Sequence, residues 1–543
     1  MGERREKGDS YFSHWADQAA RRTIAAHPDA ELFVVEAGIT PSGVVHIGNL
    51  REVITVDFLA RALRDQGVKV RFIYSWDDFD VFRKVPPDMP EQEMLRANLR
   101  RSIADVPDPC GEHDSYASHQ IDAFERSIEA LGIQPEFIRQ SRRYRAGAYA
   151  QGIRRALEHR DLIREILDRH RTERLSDDWL PLAGFCDDCG RDRLEFEWDG
   201  EWGVGYRCRS CGHQHRLDLR EGGNLKLPWR VDWPMRWAYE GVSFEPGGKD
   251  HTSAGGSYDT AKEIVREVYG AHPPEYVAYD FVRIKGRGGK ISSSAGSALT
   301  VSEALEVYEP EMLRWLFASY RPNSEFQISF DLDVIKLYED YDRTRQIAHQ
   351  PEDGSQGDRK RQTARRTLEL ASIDHRRIQP GDPLPFRPAF RPLSMILQVY
   401  DGDVERALAH YEAAGAIRSD AERRGFRERA RRVWAWIEQY APPDFRYRIR
   451  SEATVRELTG DQAAALGKLV DTLRREPDLD ETALVSHVKG LFEGTALRPE
   501  ELFPVIYDLL IDRPKGPKLT TLIATLGAER VLPLLEPSLE ARS

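Results

Sequence analysis

One ten-residue stretch, Thr40–Asn49, most constrains what this chain can fold into. The apolar run Leu32–Val35 comes just before it and predicts a buried strand, and the segment 50–62 just after it carries apolar residues at helical spacing. The stretch therefore joins a strand to a helix, where unpaired backbone N–H groups and the helix dipole favour an anion such as phosphate. Gly43 and Gly48 allow close backbone approach, and His46 adds a donor. The alternative is an ordinary strand–helix turn with a surface histidine.

A second strand follows at once. Val68, Val70, Phe72 and Tyr74 recur at every second position and run into Ser75–Asp78. A helical crossover of this size implies parallel strands with a right-handed connection. We therefore expect an α/β fold with a Rossmann-like half.

A glycine-rich basic loop, Lys285–Ser294, ends in three serines and follows a predicted strand at Phe281–Ile284. Open α/β sheets bind ligands at such strand ends. The two segments resemble the HIGH motif (His46–Asn49) and the KMSKS motif (Lys290–Ser294) of class I aminoacyl-tRNA synthetases. Three further stretches, 75–78, 227–237 and 248–251, make nearly the whole chain similar to the archaeal-type, class I lysyl-tRNA synthetases.

This resemblance implies a fold, an activity and substrates. The fold is α/β: a Rossmann-like class I synthetase catalytic domain with a zinc-containing insertion, followed by all-helical C-terminal domains. The activity is a two-step reaction in which lysine and ATP, with Mg²⁺, form lysyl-adenylate, and the lysyl group then passes to the 2′-hydroxyl of tRNA-Lys. The reaction needs positioning and electrostatic stabilisation rather than a protein nucleophile.

The resemblance also implies site residues. The expected catalytic residues are His46, Asn49, Lys290, Ser292, Ser293 and Ser294. The expected ATP-binding residues are Pro41, Gly43, His46, Gly48, Asn49, Asp250, Lys290 and Ser293. Ser293 stands where a second lysine is usual, so Lys290, Lys285 or Arg287 would carry more of the charge.

Lysine selection requires a carboxylate for the ammonium group and an apolar slot for the methylenes. The candidates for the whole lysine-binding site are Glu36, Gly38, Thr40, Asp77, Trp233, Trp237 and His251, with Asp232 as a further counter-charge. A tryptophan in the slot would add a cation–π contact of roughly 0.5–2 kcal/mol. Each of these residues has a structural alternative, such as a core position for Trp233 or a helix cap for Asp77.

Four of the five cysteines form two C-x-x-C pairs, Cys186/Cys189 and Cys208/Cys211, at the spacing of a zinc ribbon. Four thiolates leave no open position, so we expect this zinc to be structural. A second metal site is a candidate at Asp108, Glu112, His113 and His119. Glu112 stands where the resembled family has a cysteine, and Cys110 lies two positions earlier. A polar loop without metal is the alternative.

The predicted division of the chain is 1–90 and 227–299 for the two catalytic halves, 91–226 for the inserted domain with the zinc ribbon, 300–348 for a helical segment contacting the tRNA stem, and 349–543 for a helical anticodon-binding region. In that last region an arginine cluster precedes two tryptophans. Either it is a solvated helix face balanced by acids, or it binds phosphates with aromatic stacking. The candidate tRNA-binding residues are Arg423, Arg424, Arg427, Arg431 and Trp434.

Composition excludes several classes. The net charge of −11 argues against a protein that coats DNA, but a local basic stripe can still bind tRNA. No apolar run approaches the about 20 residues of a membrane span, and residues 1–7 lack the apolar core of a secretory signal. We expect a cytoplasmic protein, a monomer, with tRNA-Lys, L-lysine and ATP as partners and no DNA or membrane. The alternatives are a class I synthetase for another amino acid such as glutamate, a nucleotidyltransferase without tRNA, and a zinc-ribbon nucleic-acid-binding protein without catalysis.

Overall fold

The computed structural model describes residues 14–87, 89–249, 256–285 and 299–541. The chain forms two compact units. The first comprises residues 1–328 and 344–382, and the second comprises residues 329–343 and 383–543. Among the described residues, no helix combines the length and the apolar character that a bilayer crossing requires.

The elements follow one another along the described residues. The strands are β1 (Phe33–Ile39), β2 (Val70–Trp76), β3 (Glu136–Arg139), β4 (Ala183–Gly184), β5 (Leu194–Trp198), β6 (Gly203–Cys208), β7 (Gln214–Asp218), β8 (Leu225–Lys226), β9 (Val242–Phe244), β10 (Gly247–Gly248), β11 (Ala278–Tyr279), β12 (Val282–Ile284) and β13 (Phe326–Ile328). The helices are α1 (Trp15–Ala26), α2 (Ile47–Asp65), α3 (Gln92–Ala97), α4 (Tyr116–Glu129), α5 (Gln140–Arg145), α6 (Ala150–Glu158), α7 (Arg160–Asp168), α8 (Trp229–Glu240), α9 (Ser257–Glu267), α10 (Val301–Val307), α11 (Pro310–Ser319), α12 (Asp333–Ala348), α13 (Asp358–Ala371), α14 (Phe390–Val399), α15 (Val404–Ala413), α16 (Asp420–Gln439), α17 (Gly460–Arg475), α18 (Glu481–Gly490), α19 (Pro499–Ile511), α20 (Leu519–Leu526) and α21 (Ala528–Glu540).

The first unit is built on a four-stranded sheet in the order β3–β2–β1–β9, with every neighbouring pair parallel. Helix α2 makes the crossover from β1 to β2, as the sequence predicts. It is a thoroughly buried helix, because 14 of its residues are shielded from solvent. The α/β fold is confirmed. β1 lies inside the sheet, between β2 and β9. In open parallel sheets the ligand crevice lies at the carboxyl ends of such central strands.

Two strands lie in segments where the sequence analysis predicted other structure. β3 belongs to the 91–226 segment, which was expected to be an insertion, yet it forms the outer strand of the main sheet against β2. β13 interrupts the 300–348 segment, which was expected to be helical, and pairs in parallel with β12. Both strands are shorter than five residues, and such short runs show too little alternation to be recognised.

Residues 344–382 pack with the first unit rather than with the C-terminal helices. Arg366 on α13 donates to both carboxylate oxygens of Asp17 on α1 and to Asp65 at the end of α2. Arg366 and Asp17 have fully buried side chains. The functional boundary predicted at residue 349 thus falls inside the first compact unit, just before α13. The predicted roles of the segments stay predictions.

The described part of the second unit is all helical, as predicted. Trp436 on α16 is completely buried, packs edge-on against Phe390 on α14, and donates its indole N–H to the Phe330 carbonyl. On α17 the predicted apolar face, Leu466, Leu469, Val470 and Leu473, is buried.

Candidate active site and metal centre

His46 caps the N-terminus of α2. Its Nδ1 atom accepts a hydrogen bond from the Gly48 N–H at 3.0 Å, and the Asn49 side chain accepts one from the His46 N–H at 3.0 Å. Because Nδ1 is an acceptor, the ring proton is on Nε2, which is a donor. Gly48 is required here, since a Cβ atom would lie 2.8 Å from the imidazole ring. The predicted residues Pro41 and Gly43 are buried in the turn before the helix.

The chain that follows the second predicted motif returns to this same helix end. The Ile47 N–H donates to the Leu299 carbonyl at 2.8 Å, and His46 forms an antiparallel bridge with Thr300. Before the motif, the Lys285 N–H directly after β12 donates to the Ile328 carbonyl of β13. The predicted residues Lys290, Ser292, Ser293 and Ser294, and also Asp250 and His251, lie outside the described residues.

An acid-lined cavity of about 80 Å³ opens at the carboxyl ends of β1 and β2. Four of the predicted lysine-binding residues line it, namely Glu36, Gly38, Asp77 and Trp233. The further lining residues are Glu52, Ser75, Trp229, Arg236, Glu245, Pro246, Gly247, Gly248 and Tyr279. Four carboxylates and a single cation are among these described lining residues, so the space favours a positively charged guest.

Glu52 and Tyr279 are the functional candidates that the sequence analysis missed. Glu52 lies on α2, accepts from the Gly38 N–H at 2.9 Å, and accepts from the Tyr279 hydroxyl at 2.5 Å. Desolvation raises the pKa of Glu52 to about 7 despite these two hydrogen bonds. The sequence signal that could have revealed Glu52 is its position as the one carboxylate in the mainly apolar segment 50–56, about one helical turn after Asn49.

Glu36 is buried, and its Oε2 atom has no hydrogen-bond partner among the described residues. Burial raises the pKa of Glu36 to about 8. The Arg236 guanidinium donates hydrogen bonds to the Ser75 hydroxyl and to the Asp77 carboxylate, each at 2.7 Å. It also lies 3.3 Å from Asp232. Arg236 is thus matched by two aspartates, so Glu36 and Glu52 have no cation of their own in the part of the chain that the structure describes.

The two predicted tryptophans, Trp233 and Trp237, donate hydrogen bonds to a third carboxylate, Glu245. Trp233 donates its indole N–H to Glu245 at 2.9 Å, and Trp237 donates to the same oxygen. Burial raises the pKa of Glu245 well above its usual value. Trp237 is not among the residues that line the cavity, whereas Trp229 lines it and stacks on Trp233 with ring centroids 5.2 Å apart.

A larger cleft of about 870 Å³ adjoins this cavity and shares Gly38, Glu52 and Asp77 with it. Asn49 and the predicted residue Thr40 line the cleft. The Thr40 hydroxyl donates to Asp80 at 2.8 Å, and Lys226 forms an ion pair with Asp80 at 2.7 Å. The capped helix end and the acidic cavity therefore meet across one cleft, which suits a ligand with an anionic part and a cationic part.

The four cysteines of the ribbon converge. Their sulfur atoms all lie within 4.8 Å of one another, with Cys186 Sγ 3.6 Å from Cys211 Sγ and Cys189 Sγ 3.7 Å from Cys208 Sγ. A tetrahedral zinc with Zn–S bonds of about 2.3 Å separates its sulfurs by about 3.8 Å. Gly190 and Gly212 close the two turns at positive φ. The sulfur positions fit one Zn²⁺ ion.

A second cluster brings together Asp108, His113 and His119. The Nδ1 atoms of both histidines are buried without hydrogen-bond partners and lie 3.5 and 3.3 Å from the Asp108 carboxylate. The fourth predicted ligand, Glu112, does not join the cluster, since it is exposed and contributes its backbone N–H to Asp108. The described donor set is therefore one carboxylate and two imidazoles.

Two of the candidate tRNA-binding arginines on α16 are already paired. Arg423 contacts Glu412 and Asp420, and Arg427 makes a two-pronged contact with Glu405 at 2.7 Å. Arg424 and Arg431 are exposed and lie seven residues apart, on one face of the helix. Trp434 packs against Gly402, whose added Cβ would lie 2.3 Å from the indole ring.

Comparisons with known proteins agree with this geometry. The family model described as tRNA synthetases class I (K) matches residues 13–374. Lysine–tRNA ligase of Borreliella burgdorferi is 43% identical over 521 residues, covering 95% of this chain and 98% of the relative. Lysine–tRNA ligases of Treponema pallidum (41%, 95% and 97% covered) and Pyrococcus furiosus (38%, 96% and 98% covered) are also similar. This chain belongs to the class I (K) family of tRNA synthetases.

Proposed function

We propose that this protein ligates L-lysine to tRNA-Lys through a lysyl-adenylate, at the expense of ATP. The observation that carries the proposal is the acid-lined cavity beside the capped N-terminus of α2, across a single cleft. The relatives that share most of the chain carry the name lysine–tRNA ligase. The Rossmann-like sheet supplies the crevice in which nucleotides bind in such folds.

The lysine ammonium group is bound by Glu52, with Glu36 as the second carboxylate. Both groups are carboxylic acids whose pKa is raised by desolvation, so an incoming cation restores their charged form. Tyr279 fixes the orientation of Glu52, and the Trp229 and Trp233 rings lie along the methylenes. Gly38, Thr40, Asp77 and His251 remain candidates for the rest of the substrate, and Trp237 acts through Glu245.

In the first step, a lysine carboxylate oxygen attacks the α-phosphorus of ATP, and the bond to the β,γ-pyrophosphate breaks. His46 Nε2–H and the first N–H groups of α2 donate to the phosphoryl oxygens as negative charge accumulates there. Asn49 holds the His46 backbone, so it positions this donor. Mg²⁺ would enter with ATP and offset part of the negative charge of its phosphates.

We propose that the second motif contributes to the same nucleotide site. The Leu299 carbonyl, which follows this motif in the chain, accepts a hydrogen bond from the N–H of Ile47, the first residue of α2. This contact supports the proposal that Lys290 and Ser292–Ser294 reach the phosphates of the same nucleotide. Pro41, Gly43, Gly48 and Asp250 complete the proposed ATP site. In the second step, a ribose hydroxyl of the tRNA attacks the lysyl carbonyl and AMP leaves.

A glutamate-specific site is disfavoured by the cavity itself. Such a site needs an uncompensated cation for the substrate side chain. The one cation among the described lining residues, Arg236, is paired with Asp77 and Asp232. A glutamate side chain would therefore find no uncompensated cation among these residues.

The remaining roles are proposals of the same kind. Cys186, Cys189, Cys208 and Cys211 would hold one structural Zn²⁺, and Asp108, His113 and His119 would hold a second ion. Residues 300–348 would contact the tRNA stem and residues 349–543 the anticodon. We propose a cytoplasmic monomer.

The test is ATP–pyrophosphate exchange with each amino acid in turn, followed by charging of tRNA-Lys. We expect exchange with lysine and no exchange with glutamate. His46→Ala should reduce the exchange rate roughly 100-fold or more, the usual cost of losing one transition-state donor. Exchange that does not depend on lysine would contradict the proposal.

A further inference from the structure

Two adjoining cavities in the second unit form one groove. Their volumes are about 880 and 680 Å³, and they share Gln398, Tyr447 and Arg513. One wall is α14, and the other walls are the segment 444–454 and the loop 512–518 that follows α19. We call this space the basic groove. These residues lie in the segment 349–543 that was predicted to bind the anticodon, but none of them was among the candidate tRNA-binding residues.

The charge of the basic groove is opposite to that of the chain. Its lining carries seven cationic side chains, Arg391, Arg446, Arg448, Arg450, Arg513, Lys515 and Lys518. It carries four acidic ones, Asp444, Glu452, Glu481 and Asp512. The whole chain has a net charge of −11, so a locally positive lining points to an anionic ligand.

Three of these cations are not neutralised by a carboxylate among the described residues. Arg446 donates to the Glu438 carbonyl at 3.2 Å, and Arg513 donates to the Pro443 carbonyl at 2.7 Å. Each guanidinium is thus held in place by a neutral group and keeps its charge for a ligand. Lys515 is exposed in a loop with prolines on both sides. On α16, by contrast, Arg427 is bound to Glu405.

The shape of the basic groove suits an unpaired nucleotide strand. Arg446 and Arg448 are exposed on either side of the buried Tyr447, whereas Arg450 is half-buried and pairs with Asp512. Tyr447 is fixed, since its hydroxyl donates to the Met395 carbonyl and its N–H to Gln398. Half-buried Phe445 lines the larger cavity, whose volume lies within the about 300–1,000 Å³ of cavities that hold small-molecule rings.

We propose that the basic groove binds single-stranded RNA, with phosphates against Arg446, Arg513 and Lys515 and a base in the larger cavity beside Phe445. A row of cations next to aromatic rings is how proteins bind unpaired strands. The inference deepens the proposed function, on which it rests, by assigning the unpaired part of the tRNA to this groove instead of to the α16 arginines.

The test compares Arg513→Ala/Lys515→Ala with a matched control, Lys489→Ala, an exposed lysine on α18 outside the groove. The dissociation constant is measured by filter binding over a range of salt, for full-length tRNA-Lys and for a minihelix that contains only its acceptor arm. Both substituted side chains are in a loop, and the melting temperature checks that each variant is folded.

We expect the double variant to bind full-length tRNA-Lys about tenfold more weakly, with the salt slope reduced by about two, one for each lost phosphate contact. Minihelix binding and lysine-dependent pyrophosphate exchange should not change, and Lys489→Ala should behave as the wild type. Unchanged affinity for full-length tRNA-Lys would overturn the inference, as would an equal loss for the minihelix.

The same variants separate this inference from the proposed function. If the wild type gave no lysine-dependent exchange, the proposed function would fail, and a ten-nucleotide oligouridine would replace tRNA-Lys as the probe. Weaker oligouridine binding by the double variant would then support the groove. Equal binding by variant and wild type would overturn it.

Discussion

In the proposed site, Glu52 is the residue on which we expect amino-acid selection to depend most. It is half-buried beside the cavity, fixed by the Gly38 N–H and the Tyr279 hydroxyl, and has no cation of its own among the described residues. Replacement by glutamine keeps the shape and one acceptor but removes the charge. A hydrogen bond to a charged group contributes about 1.5–3 kcal/mol. We expect Glu52→Gln to raise the lysine KM in pyrophosphate exchange roughly 10- to 100-fold.

Tyr279→Phe is the matched control for that substitution. It removes the hydroxyl that orients Glu52 but leaves the carboxylate, so we expect a smaller increase in lysine KM, of about tenfold or less. An unchanged lysine KM in Glu52→Gln would assign the ammonium site to Glu36 or Glu245 instead.

The raised pKa of Glu52 predicts a pH dependence with a definite sign. The pKa is about 7 in the substrate-free protein, so the carboxyl group is increasingly protonated below pH 7. Lysine needs the ionised form and must displace that proton. We expect the lysine KM to rise as the pH falls from 8 to 6, approaching tenfold per pH unit at the acidic end. In Glu52→Gln this dependence should be weaker, and equal profiles for the two proteins would contradict the assignment.

At the residue scale, the sequence predicted the site in part. Glu36, Gly38 and Asp77 line the cavity because the first two lie in β1 and the third directly follows β2. Glu52 and Tyr279 come from a helix and a short strand 227 residues apart, and sequence spacing does not reveal that they meet. Arg236 was missed for the same reason, since its pairing with Asp77 spans 159 residues.

The four-cysteine ribbon has a small hydrophobic cluster around its sulfurs, formed by Cys186, Tyr206 and Cys208 with a few half-buried neighbours. Its strands also pack on the larger core through residues such as Val204. We expect a bound metal to supply much of the stability around the sulfurs. We expect Cys186→Ser to lower bound zinc by about one ion per chain and to reduce the melting temperature, with little effect on kcat of pyrophosphate exchange. Metal content by atomic absorption and a thermal melt measure the two effects.

Cys110→Ser is the matched control, because Cys110 is exposed and lies outside the four-cysteine cluster. It should leave the melting temperature and the content of the ribbon zinc unchanged. Full zinc content in Cys186→Ser would show that the ribbon does not need all four thiolates.

The α13 helix is attached to the first unit through buried charge. Arg366→Leu would leave Asp17 buried without its partner, which typically costs about 3–5 kcal/mol. We expect a clear drop in the melting temperature by calorimetry. Arg359→Leu, on the exposed side of the same helix, should change it little. Equal melting temperatures for the two variants would show that α13 contributes little to the stability of the first unit.

The sequence correctly predicted the helices and strands whose apolar pattern extends over many residues. The β1–α2–β2 unit and the apolar face of α17 follow directly from their periodicity. β3 and β13 were missed because strands of three or four residues show almost no period. The attachment of α13 depends on Arg366 meeting two aspartates more than 300 residues away, which local sequence does not reveal.

At the scale of the whole molecule, the two proposed binding sites differ in the sign of their local charge. The cavity proposed to bind lysine is lined by four carboxylates, whereas the groove proposed to bind RNA is lined by seven cations, although the chain as a whole is acidic. Net charge alone predicted neither site. Local charge around each cavity is therefore the quantity that separates the two proposed substrates.

The most direct test of the central claim is a crystal structure with a non-hydrolysable lysyl-adenylate analogue. The account predicts the lysine ammonium nitrogen within about 3 Å of Glu52. It also predicts the group that replaces the phosphate at the N-terminus of α2, within hydrogen-bond distance of His46 Nε2. An analogue bound elsewhere, or with its ammonium group turned away from the acidic cavity, would contradict the account.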